Sequence, residues 1–101
     1  MDTPTYYAVI FTSVRTNGDN GYVEMARAMD ELAKMQPGYL GIESAREEIG
    51  ITVSYWESLE AIANWKKNSE HLLAQSKGIK DWYQNYTVRI CKVERAYSWE
   101  K

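Results

Sequence analysis

His71 is the only histidine in this 101-residue chain, and its side chain is the one best suited to moving a proton near neutral pH. Spacings of four and seven residues put His71, Gln75 and Gly78 on one helix face, so the imidazole is a candidate acid/base or hydrogen-bond donor to a substrate oxygen. The competing reading is an exposed helix residue near a cap. Trp56, Trp65 and Trp82 flank this stretch. Indole rings can wall a slot for a flat aromatic molecule, and they can equally fill the space between a helix and a sheet. Arg89 lies between Val88 and Ile90 in an apolar run. A guanidinium there sits at a solvent edge, pairs with an acid, or aims at an anionic ligand. An ion pair with Glu43 of a neighbouring strand is the favoured reading, and Glu94 and Arg95 read as exposed or interface residues.

Other chemistries find little support. No second His or Cys stands at metal-ligand spacing from His71, so no zinc or iron site is expected. Ser44 and Ser54 lack a His–Asp arrangement, which argues against a serine hydrolase. Cys91, the single cysteine, has hydrophobic neighbours and reads as buried and unreactive. A net charge of -2 with dispersed basic residues argues against nucleic acid. With no secretory signal and no apolar run of membrane-spanning length, a cytoplasmic protein is expected.

The elements that must position these residues follow from periodicity. Thr5 to Val14 is β-branched and aromatic and predicts a strand; Arg15 to Gly21 is a loop, with Asn20 as a helix cap. Tyr22 to Met35 carries one apolar stripe at helical spacing, and Gln36-Pro37-Gly38 ends that helix. Tyr39 to Arg46 and Gly50 to Glu57 predict a hairpin in which Ile51, Val53 and Tyr55 face one way and Thr52, Ser54 and Trp56 the other. Ser58 starts a second helical region, Leu59 to about Trp82, with a bend and a fresh cap at Asn68-Ser69 and a second break at Gly78. Tyr83 to Trp99 predicts one long last strand.

Strand, helix, strand, strand, helix, strand is the split βαβ order of ferredoxin-like α+β folds, here one domain over residues 1–101. Such a fold has one antiparallel sheet, of expected order 4-1-3-2, with both helices on one face. The other face is bare unless a partner covers it. A chain this short gains from burying more surface by association, so a homodimer is expected. Four Trp, eight Tyr and one Phe exceed what so small a core absorbs, so some rings belong to a pocket or an interface.

The run ITVSYWESLEAIANW, with PGYLGIES upstream and WYQNYTVRICKVERAY downstream, resembles the antibiotic biosynthesis monooxygenase superfamily from about Tyr6 to Trp99. The resemblance implies a dimeric α+β barrel, with a pocket between sheet and helices in each subunit. It implies a monooxygenase that needs no metal or flavin and acts on a small aromatic, quinol-like substrate. On that reading His71 and Trp65 are catalytic, and Phe11, Trp56, Trp82, Tyr86 and Arg89 contact substrate. A non-catalytic ligand-binding or stress-response dimer is the alternative, and a haem-binding protein with His71 as ligand is a third. The haem-degrading branch carries an Asn in strand one and a His ten residues after the helix-two Trp. Phe11 or Thr12 and Gln75 stand at those positions, which argues against haem degradation.

Overall fold

A computed structural model describes residues 5–74 and 79–101. The chain runs β1 (Tyr6–Arg15), α1 (Tyr22–Lys34), β2 (Tyr39–Arg46), β3 (Gly50–Trp56), α2 (Leu59–Ala74), a single helical turn α3 (Ile79–Trp82) and β4 (Tyr83–Val93). The four strands form one antiparallel sheet ordered β2-β3-β1-β4, the expected ferredoxin-like arrangement.

Strand register sorts the side chains. Tyr7, Val9, Phe11 and Ser13 of β1 share a face with Trp56, Ser54, Thr52 and Gly50 of β3 and with Lys92, Ile90, Val88 and Tyr86 of β4. This is the helix side. Trp56, Ala33, Ala61 and Ile62 form its buried core, with Tyr7, Val9, Tyr39 and Trp65 packed against them. Tyr6, Ala8, Ile10, Ile51, Val53, Tyr55, Arg89, Cys91 and Val93 face the opposite way, where no helix lies. Cys91 is half-buried there.

Gly38 fixes the approach of α2 to the hairpin. Its φ of 87° is left-handed, its carbonyl accepts from Glu57 N at 2.8 Å, and an added Cβ would stand 2.6 Å from Ala61 Cβ. Left-handed strain and a clash within the core both act against a side chain here. Gly38→Ala is expected to cost about 3 kcal/mol. A urea midpoint unchanged from the parent protein would show that the turn does not set this packing.

Several sequence expectations change. Asn20 does not cap α1; it adopts a φ of 51°, Gly21 stands at the N-cap, and the Asp19 carboxylate accepts from Gly21 N and Val23 N. Asn68 and Ser69 do not interrupt α2, which runs from Leu59 to Ala74. Their side chains donate back to the carbonyls of Asn64 and Lys66, which spares the main-chain ladder. Leu59, the first residue of α2, is exposed. The last strand stops at Val93, whose partner is Tyr6, the first residue of β1. Residues 94–101 leave the sheet, with Tyr97 89% and Trp99 81% exposed. Gln75 and the expected break at Gly78 lie outside the described residues.

Candidate functional site

The rings nominated from sequence do not gather in one place. Trp56 is wholly buried; its Nε1 donates to Ser54 Oγ at 2.9 Å and its ring stacks on Trp65 with centroids 5.8 Å apart. These two indoles belong to the core beneath α2. Trp82 is buried elsewhere, its Nε1 donating to Asn20 O at 2.8 Å and its ring edge-on to Tyr22. His71 is exposed on the last turn of α2. Arg89 is exposed on the bare face opposite Ile10. Its expected ion pair with Glu43 does not form within the chain, because β3 and β1 stand between β4 and β2.

Phe11 and Tyr86 do meet. They stack at 5.4 Å, and Tyr83 closes on both rings edge-first at 5.6 and 5.9 Å. On this side α1 packs over β2 and α2 over β3, while β4 meets only the single turn α3 among the stronger helix contacts. Tyr86, Val88 and Ile90 are therefore 48–51% exposed although they point to the helix side. The result is an open apolar strip along β1 and β4 with an aromatic cluster at one end.

Four polar residues border that cluster: Arg15 and Tyr22, which periodicity places in a loop and a helix stripe, and Ser13 and Arg46, at strand ends. Arg46, Gly50, Ser13 and Tyr86 form one row across the sheet, on the helix side. The missing side chain of Gly50 lets the Arg46 guanidinium lie across β3, where an added Cβ would overlap it. Arg46 Nη2 thereby donates to the buried Ser13 Oγ. Arg15 sits 3.5 Å over the Tyr22 ring, and Arg46 lies 5.9 Å from the same centroid. Arg15 is anchored: Nε donates to Trp82 O at 2.9 Å and Nη2 to Gly18 O at 3.1 Å. The Tyr22 and Tyr83 rings meet edge-to-face at 5.8 Å. Burial, and then the Tyr22 phenol, hold the Tyr83 phenol well above the ordinary tyrosine range, against the pull of Arg46 and Arg15. Tyr83 is therefore a neutral hydrogen-bond donor at any physiological pH.

Among the described ion pairs, Lys34–Asp30 and Lys66–Glu70, neither arginine takes part. An open recess of about 440 Å3 lies on the opposite side of the sheet, lined by Tyr6, Glu43, Tyr55 and Ala96 to Ser98. Burial, Glu43 and Tyr6 push the Tyr55 phenol up. Among the described residues no three His, Cys, Asp or Glu side chains cluster as metal ligands, and no helix is long and apolar enough to cross a membrane.

Comparison with known proteins agrees with this architecture. The family model described as antibiotic biosynthesis monooxygenase matches residues 5–77. An uncharacterized protein of Bacillus subtilis (strain 168), YqjZ, is 53% identical over 94 residues, covering 91% of this chain and 82% of its own length. Among solved structures, a point mutant of SnoaB, a cofactor-independent oxygenase from Streptomyces nogalater, superposes with a TM-score of 0.70 at 10% identity, over 93% of this chain and 97% of that one. A point mutant of MhuD with two manganese protoporphyrin IX molecules bound per active site gives 0.69 at 21% identity, over 91% and 98%. Likenesses at these identities extend to the fold.

Proposed function

This chain belongs to the antibiotic biosynthesis monooxygenase family, and on that premise we propose that it is a homodimeric, cofactor-independent monooxygenase acting on a small aromatic, quinol-like substrate. The observation that carries the reading is the open strip on the helix side, where Phe11, Tyr83 and Tyr86 present ring faces and edges beside exposed Val88. A flat ring laid there loses water on its apolar faces, which favours an electron-rich anion reacting with O2. The substrate supplies the electrons: an anthrone-type CH2 becomes C=O, one oxygen atom enters the product and the other leaves as water. Tyr83 donates a hydrogen bond to the substrate oxygen.

The homodimer rests on the bare face. Ile10, Ile51, Val53 and Val93 share it, Tyr97 borders its recess, and Trp99 is 81% exposed. A second copy offers the same apolar surface in return.

Oxygen uptake tests the activity. With anthrone or naphthoquinol, the chelator-treated protein is expected to accelerate O2 consumption at least about tenfold over buffer, and Tyr86→Ala to remove most of the gain. Uptake equal to the uncatalysed rate across the panel would reject the oxygenase. The exposure of His71 favours one other reading, a ligand-binding dimer without catalysis. That protein would retain an aromatic ligand, visible by native mass spectrometry, and show no turnover.

A further inference from the structure

We infer that the Arg46–Ser13–Tyr22 corner is an anion subsite, and that the ligand of this protein is an aromatic acid whose carboxylate meets Arg46 while its ring lies on Phe11 and Tyr86. The inference rests on the aromatic strip proposed above as the binding surface, and it adds the chemical class of the ligand.

Arg46 is at the end of an edge strand, where a long cation ordinarily extends into water. It turns inward instead, across the sheet. Gly50 is what permits this, since any side chain there would occupy the same space. Of the five N–H donors on a guanidinium, the described contacts of Arg46 use one, toward Ser13 Oγ. Ser13 is 1% exposed, so its hydroxyl fixes the guanidinium from beneath. Arg15 brings a second positive charge to the same Tyr22 ring. Two like charges around one ring repel unless an anion joins them, and no described ion pair supplies a carboxylate. The planar fork of Arg46 suits a carboxylate in bidentate contact. Tyr86 is the next residue along the row from Ser13, so an acid held by Arg46 places its ring on the Phe11–Tyr86 stack. Arg46 is also solvent-accessible, which leaves a ligand a path to it.

The test compares 2-naphthoate with its neutral counterpart 2-naphthalenemethanol, titrated calorimetrically into the full-length protein. The naphthoate is expected to bind at least about tenfold more tightly, with a preference that shrinks as salt rises. Arg46→Met is expected to bring the affinity ratio close to one. Gly50→Ala keeps the charge but displaces the guanidinium, and is expected to do the same. Circular dichroism melts check that each variant folds. Equal affinities in the parent protein, or a preference that survives in both variants, would overturn the subsite. The two readings separate cleanly. Acid-selective binding with no O2 uptake on hydroxynaphthoates keeps the subsite and removes the oxygenase. Uptake on neutral quinols with no acid preference does the reverse.

Discussion

At low micromolar concentration the protein is expected to sediment at twice its 11.7 kDa chain mass, and Val53→Lys is expected to dissociate and unfold it in one step. Val53 lies at the middle of β3, between Glu43 of β2 and Ile10 of β1, on the face without helices. Ile51, 45% exposed, is its neighbour on that face, and both register with apolar or small residues of β1. Leaving such side chains in water forfeits roughly 1.5–3 kcal/mol each. A domain of this size has only about 5–15 kcal/mol in total, so a monomer with this face wet is close to unfolding. A lysine at the centre of a two-fold contact meets its own copy, adding charge repulsion to lost burial. The interface is expected to bury more than about 1,600 Å2. Ala26→Lys, on the exposed side of α1, serves as the control and is expected to stay dimeric. A folded monomer in the Val53→Lys protein, or in the parent, would show that the bare face tolerates water and that the barrel does not form.

Trp56→Ala is expected to cost about 3–5 kcal/mol, the range for deleting a large buried aromatic side chain. The indole is wholly buried, touches Tyr39 edge-on at 5.7 Å and stacks on Trp65, so its removal opens a cavity under α2. It also leaves the buried Ser54 hydroxyl without its donor. Melting temperature at fixed protein concentration is expected to fall by well over 10 °C, at about 4–8 °C per kcal/mol for a domain this size. The near-ultraviolet signal of the stacked indoles should vanish with it. This variant separates the two readings of the tryptophans. A loss below about 1 kcal/mol would mean that Trp56 borders an opening, as a substrate wall would, rather than the core.

The fold was legible because its signals are local. Alternation along Ile51 to Trp56 sets the two faces of β3, and Pro37-Gly38 ends α1 within a residue or two of the expected place. Asn68-Ser69 misled because short polar side chains serve two purposes: they cap a new helix, or they bond back to the preceding turn of an existing one. Only the neighbours decide, and here Gln36 Oε1 accepts from Asn68 on the outside of α2. The last strand was read too long because its composition continues past Val93 while its partner strand does not. The candidate site was largely illegible for a different reason. Arg46, Ser13 and Tyr86 are separated by 33 residues and more in sequence, and they meet through the registers of three strand pairs. Periodicity fixes which face a residue takes, not which row it joins. Tyr22 and Tyr83 were visible only as members of a helix stripe and a strand start. One local hint existed: an arginine four residues before a glycine across a hairpin places a long cation over an empty position.

The position of β1 also dictates the order in which the molecule can be completed. It is the first strand in the chain and a central strand of the sheet, flanked by β3 and β4. Tyr6 pairs with Val93, so β1 must wait for every other element of the domain before its second neighbour exists. Contacts of such long sequence separation place the domain among slower two-state folders, in the millisecond-to-second range rather than the microseconds of helical bundles. During synthesis β1 emerges with its hydrogen-bonding edges unfilled, and the β2–β3 hairpin is the earliest piece able to form alone. Any assembly that uses the finished sheet therefore follows release of the last strand, and nascent chains carrying an open, apolar β1 are the stage at which aggregation competes with folding.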